Sequence, residues 1–114
     1  MDEIKDVWWE GSSLDDLKQF PEDVKLAMGI SFIVFSLEKC LMIGSHIKNV
    51  SKDITAVYEI RVSLDKNIFR TAYVAKFKDV VVVLHCWQKK SQTTSKSDLE
   101  IIAARYRSAK ETLT

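Results

Sequence analysis

Residues 56–87 read AVYEIRVSLDKNIFRTAYVAKFKDVVVVLHCW, and the spacing inside this stretch decides the fold. Three runs rich in β-branched and aromatic residues, Ala56 to Ser63, Ile68 to Phe77 and Val80 to Trp87, are separated by the short connections LDKN and KD. Such spacing predicts three strands in an antiparallel meander. With a symmetric LDKN connection, Ser63 lies opposite Ile68 and Arg61 opposite Arg70. The same count across KD puts Arg70 opposite Trp87 and Ala72 opposite His85. Arg61, Arg70, His85 and Trp87 then share one face, which this reading turns to water. The other face carries Tyr58, Ile60, Val62, Phe69, Thr71, Tyr73, Ala75, Phe77, Val80, Val82, Leu84 and Cys86 and is suited to lie beneath helices.

Working outward, Ile4 to Glu10 (IKDVWWE) has the content of a short strand and stops at Gly11. On it Trp8 and Trp9 point to opposite sides, one to the core and one to an edge. Ser13 and Asp16 have capping-box spacing ahead of a short helix, and Pro21 suits the first turn of a second. Val24, Ala27, Ile30, Val34, Leu37 and Leu41 recur at three- and four-residue intervals, which predicts a helix from 21 to about 41. Residues 42–55 read as a connection with a short pairing at Ile47. After the meander, Leu99, Ile102, Ala103, Tyr106 and Ala109 form one stripe of a helix from Lys96 to Leu113, with Ser97 and Glu100 as its capping box. The fold class expected is α+β, in one domain over residues 1–114. A small antiparallel sheet, the N-terminal strand plus the meander, carries two N-terminal helices and a C-terminal helix on one face.

Composition narrows the function. The longest apolar run, Ala27 to Leu37, is broken by Gly29, Ser31 and Ser36 and falls short of the roughly 20 residues that span a bilayer. Acidic residues precede the first apolar cluster, the wrong polarity for a secretory signal, so a cytoplasmic location without membrane contact is expected. Cys40 and Cys86 lack C-x-x-C spacing and read as reduced thiols in or near the core. The candidate zinc ligands are Cys40, His46, His85 and Cys86, but His85 and Cys86 are strand neighbours that point to opposite faces, which argues against a zinc site. The net charge of +1 hides an asymmetry: residues 1–47 hold four Lys and Arg against nine Asp and Glu, residues 48–114 thirteen against seven. A basic second half suits phosphate. The chain has no G-x-x-x-x-G-K, G-x-S-x-G, H-E-x-x-H or G-x-G-x-x-G, which leaves nucleotide hydrolysis, esterase and zinc-protease chemistry unsupported.

The register supplies the chemistry. Two arginines directly across a ladder repel one another, and a shared anion resolves the conflict. Just past Trp87 come Gln88, Lys89, Lys90 and Gln92, so guanidinium forks, ammonium groups, an imidazole and an indole gather at one end of the sheet. They are suited to grip a phosphodiester and stack a base. The plainer reading pairs Arg61 and Arg70 with Glu59 and other carboxylates and lets Trp87 cap the core.

These stretches also carry a resemblance. VWWEGSSLDDLKQFPEDVK, VYEIRV, FRTAYVAKF and VVVLHCWQKKSQTTSKSDLEIIAARY, in that order and over nearly the whole chain, are similar to the RelE/HigB superfamily of toxins, especially its phage-derived HigB-like branch. The shared motifs are Glu59 to Arg61, Arg70 to Tyr73 and Leu84 to Gln92; Trp87 stands where Phe is commoner, and Ser95 where a Pro often opens the last helix. The resemblance implies a type II toxin-antitoxin toxin, a ribosome-dependent endoribonuclease that cuts mRNA with no metal and no organic cofactor. It also implies a cognate helix-turn-helix, HigA-like antitoxin, through which alone operator DNA is bound. In the expected mechanism an RNA 2′-hydroxyl attacks the adjacent phosphorus, Lys89 or His85 takes the proton, and Arg61 and Arg70 stabilise the phosphorane. Lys90, Trp87 and Gln92 bind RNA. The alternative is a degenerate RelE-fold protein acting by antitoxin or ribosome binding only.

Overall fold

The computed structural model describes residues 6–29, 45–47, 50, 54, 56–77, 80–89 and 94–113. Strands β1 (Asp6–Trp9), β2 (Ser45–His46), β3 (Tyr58–Leu64), β4 (Asn67–Phe77) and β5 (Val80–Lys89) form one five-stranded sheet in the order β1-β5-β4-β3-β2. Helix α1 spans Ser13–Lys18, α2 covers residues 22–29, and α3 spans Lys96–Leu113. Of the stripe expected on α2, Val24 and Ala27 are described and Val24 is fully buried, joined by Met28. The positions from Ile30 to Leu41 lie outside the described residues, as does Cys40. Among the described residues no helix is long and apolar enough to cross a membrane.

The meander pairs as counted: Ser63 with Ile68, Arg61 with Arg70, Arg70 with Trp87 and Ala72 with His85. The reason is local. Leu64 pairs with Asn67, and Asp65 and Lys66 turn the chain with φ of 51° and 68°, the left-handed pair of a type I′ hairpin turn. The N-terminal strand departs from the expected antiparallel sheet, because β1 pairs parallel to β5, Val7 with Val81 through Trp9 with Val83.

Two irregularities between β4 and β5 cancel in register but not in facing. Phe77 pairs with Val80, then Val74 with Val82 and Tyr73 with Val83, then Ala72 with His85. The ladder slips by one residue and slips back, so the ends agree with a symmetric count while Val80–Leu84 change sides. Val82 and Leu84, expected on the face of Tyr73 and Cys86, pack instead with Phe77, Ala72 and Val74 against Ile102, Ala103, Tyr106 and Ala109 of α3. Val81 and Val83 take the opposite side with Phe20, Val24, Met28, Phe69, Tyr73 and Cys86. A bulge leaves one residue unpaired on its strand and re-aims its neighbours.

Helices therefore cover both faces, which corrects the one-faced expectation: α1 and α2 on one side, α3 on the other. The physical reason lies in β5, whose residues Val81–Trp87 are all buried. A strand apolar on both sides needs cover on both. The start of α3 also differs in detail. Ser95, not Ser97, is its cap: Asp98 N donates to Ser95 Oγ at 3.2 Å and Ser95 Oγ donates to Asp98 Oδ2 at 2.6 Å, two residues earlier than the box read from spacing. Likewise Ser12, rather than Ser13, precedes α1, and buried Ser13 donates from Oγ to the Val83 carbonyl.

Arg105 of α3 ties these parts together. Its Nη1 donates to the carbonyl of Leu84, the bulged residue, at 3.0 Å, and its Nη2 to Ser12 Oγ at 3.1 Å. Gly11, at φ +55°, makes the guanidinium's approach possible, since a Cβ there would sit 2.5 Å from Arg105 Nε. Gly11→Ala combines a left-handed backbone penalty with loss of these bonds and should destabilise by about 2–3 kcal/mol in denaturant unfolding. In an Arg105→Ala background the same substitution should cost only the backbone share, about 1–2 kcal/mol; equal losses in both backgrounds would separate Gly11 from Arg105.

Candidate functional site

Three strands place six residues in two rows on the α3 face: Glu59, Ala72 and His85 in one, Arg61, Arg70 and Trp87 in the next. The arginines confront each other as expected, but the face is not open water. Arg70 is fully buried, Glu59 is 2% exposed and His85 and Trp87 7% each, whereas the Arg61 side chain keeps 42% of its surface. The expectation of a solvent-facing cluster thus holds for Arg61 and is corrected for Arg70, His85 and Trp87, because α3 and the apolar residues Ile47, Ile54 and Val57 join the core on this side.

The anion that reconciles the two arginines is internal. Glu59 Oε1 accepts from Arg61 Nε and lies 3.5 Å from Arg70 Nη1. Its other oxygen, Oε2, is buried with no hydrogen-bond partner among the described residues. One carboxylate oxygen therefore serves two guanidinium groups, which offsets the like-charge pairing across β3 and β4. The plainer reading of Glu59 as the arginines' partner describes the resting arrangement.

His85 and Trp87 stack, ring centroids 4.7 Å apart and planes inclined by 13°. One face of the indole is therefore taken, and Trp87 belongs to the apolar cluster beneath α3. The imidazole is bracketed: Nε2 lies 2.9 Å from Asp98 Oδ1, and Nδ1 3.5 Å from Arg105 Nη1. Arg105 can only donate, so the neutral ring accepts at Nδ1 and donates from Nε2 to Asp98. With both nitrogens engaged in this arrangement, His85 ties β5 to the first turn of α3 through Asp98.

Burial is the largest influence on His85 and pushes its pKa below the ordinary 6.5; the hydrogen bond to Asp98 and its charge oppose this, and the Arg105 charge adds to it. As pH falls the unfolded chain takes up this proton first. The stability His85 contributes is therefore complete above about 6.5 and is lost as pH falls through the folded value. Urea midpoints measured at about pH 7.5 and 5.5 should drop on acidification, and His85→Gln, which keeps an N–H for Asp98, should shrink the drop. An undiminished drop would assign it to other groups. Cys86, on the opposite face, bonds Thr71 across 3.5 Å, and burial pushes its thiol up to about 11, which makes it a structural rather than reactive cysteine.

Lys89 closes β5 opposite Ile68, two pairs beyond Trp87 towards the sheet end. Lys90 and Gln92 lie outside the described residues. Sequence reasoning did not reach Asp98 or Arg105. The Ser95–Asp98 spacing was a readable signal for the first, but a lone arginine inside a helix carries none.

The family profile described as Phage derived protein Gp49-like (DUF891) matches residues 15–107, from α1 through most of α3. The chain belongs to the Gp49-like family. A comparison with curated proteins returned no match. Among solved structures the Gp49-like chain is similar to a doubly arginine-to-alanine substituted form of E. coli toxin RelE in the free state, with a TM-score of 0.58 and 10% identity over 93% of this chain and 97% of that one. It is also similar to a chain of the toxin-antitoxin complex RelBE2 from Mycobacterium tuberculosis, with a TM-score of 0.53 and 17% identity over 80% of this chain and 100% of that one. At these identities the likeness is one of fold: the Gp49-like chain has the RelE fold.

Proposed function

We propose that this Gp49-like protein is the toxin of a type II toxin-antitoxin pair, a cytoplasmic endoribonuclease that cuts mRNA on the ribosome. The observation that carries the reading is the arginine pair in register across β3 and β4, with Arg61 reaching solvent at the end of the sheet where β5 runs into Lys89. The family match and the RelE fold support it. Arg61 and Arg70 bind the scissile phosphate, and Lys89, as the neutral amine, takes the 2′-hydroxyl proton. The 2′-oxygen bonds to phosphorus and the 5′-oxygen departs, taking a proton from water and leaving a cyclic phosphate. The guanidinium forks stabilise the phosphorane oxygens, so cationic side chains fill the role a metal ion would. Lys90 and Gln92, next along the chain, contact the flanking RNA, while His85 and Trp87 support the site from beneath. The partner is a helix-turn-helix antitoxin, and operator DNA is bound only through that complex.

One observation favours a second reading: the salt bridge of Arg70 to Glu59 is also what a non-cutting relative acting by binding alone would keep. Induction in a bacterial host, with mapping of mRNA ends, separates the two. Cuts within translated messages, absent from naked RNA and persisting with chelator, are expected from the wild type and not from the combined Arg61→Ala, Arg70→Ala, Lys89→Ala chain. If both arrest growth equally without cuts, the nuclease assignment falls.

A further inference from the structure

The buried carboxylate of Glu59 sits where the arginine pair needs an anion, and it sits there poorly. One oxygen holds Arg61 Nε and faces Arg70 Nη1, while the other is buried with no partner among the described residues. A carboxylate has two oxygens and here uses one; a phosphodiester offers more acceptor positions and a better match to two planar forks. Arg61, at 42% side-chain exposure, gives an incoming phosphate a first contact at the surface. Arg70 is fully buried, with its Nη1 turned to the same carboxylate oxygen at 3.5 Å. Ala72, between Glu59 and His85 in the same row, has no bulk beyond Cβ to hold the carboxylate in place.

We infer that Glu59 is an internal stand-in for the substrate phosphate, closing the arginine pair at rest and displaced from it when RNA binds. This rests on the reading that the arginines take RNA phosphate, and it adds a competitor built into the same strand. The exchange solves two problems. It keeps two facing guanidinium groups folded without substrate, and it lowers affinity for stray polyanions, because a phosphate must first win the site from a tethered carboxylate. Glu59 is thus a specificity residue that never touches the reacting atoms.

The test uses a fluorescent 2′-O-methyl oligoribonucleotide, which lacks the attacking hydroxyl and is not consumed. Its dissociation constant is measured by anisotropy across a salt series. Glu59→Gln, which keeps the shape and one acceptor but removes the charge, should bind about tenfold more tightly at low salt. The plot of log Kd against log salt should steepen by about 0.7, the share of one further phosphate neutralised on a single strand. A purely structural role would leave that slope unchanged. Folded Glu59→Gln with equal or weaker binding overturns the inference. Should that chain not fold, Glu59→Asp decides: its shorter reach should loosen the hold on the arginines and tighten RNA binding, and weaker binding overturns the proposal. Arg61→Ala separates this outcome from failure of the underlying reading. Undiminished binding there sinks the arginine site itself, whereas lost binding there with no gain at Glu59 sinks only the displacement.

Discussion

Arg61→Ala should lower ribosome-programmed mRNA cleavage about 10²- to 10³-fold, the usual cost of removing one donor aimed at a developing oxyanion, while leaving the protein folded. The separation of the two effects follows from geometry. Arg61 keeps 42% of its side-chain surface, and without it Glu59 still has the Arg70 guanidinium beside it. The exposed half of an ion pair is worth little to stability, about 0–1 kcal/mol. Primer extension on a translated message, alongside a thermal melt, measures both. Arg61→Lys should recover only part of the activity, because a lysine keeps the charge but not the planar fork. A cleavage rate within a few-fold of wild type for Arg61→Ala would remove this residue from the chemistry.

Glu59→Ala should be the most damaging single change to stability, about 3–5 kcal/mol by the precedent of buried pairs stripped of one partner. Glu59 is 2% exposed and Arg70 not at all, so the carboxylate's removal takes away the counter-charge held against a desolvated guanidinium. For a domain whose total stability is about 5–15 kcal/mol, that is a large fraction. Urea unfolding measures it, and Glu59→Gln should cost less because shape and one acceptor survive. A double-mutant cycle with Arg70→Met tests the cause: the combined variant should be less destabilised than the two single losses added, by about 1–3 kcal/mol, since neither charge is then left behind. Strict additivity would mean the two residues do not stabilise each other.

The stability and activity experiments address different halves of one arrangement. Arg70 and Glu59 belong to the core in the resting protein and Arg61 to its surface, yet all three lie within two ladder rungs. A site half built into the core must give up some cohesion to admit substrate, and active groups held under such constraint are where local sequence rules and global packing part company.

Much of this was legible from the residues alone. The short LDKN and KD connections pin Arg61 opposite Arg70 and Arg70 opposite Trp87, because tight turns leave a hairpin no freedom of register. The 3.6-residue stripe from Leu99 to Ala109 marks α3, and its ends at Lys96 and Leu113 agree with the sequence reading. What the chain could not reveal was which side of the sheet each strand residue would meet. Two compensating slips between β4 and β5 leave the end pairs unchanged and turn Val80–Leu84 over. That choice is made by packing against α2 and α3, not by any local propensity.

By itself, then, the sequence determined the order of elements, the strand register and the meeting of the two guanidinium groups, all consequences of short-range turn geometry and side-chain period. Only the tertiary structure decided that α3 lies over the arginine face, that β1 runs parallel to β5, and that Glu59 rather than solvent supplies the anion. Those outcomes depend on contacts between residues far apart in the chain, where burial on both sides of β5 outweighs the alternation a single strand displays.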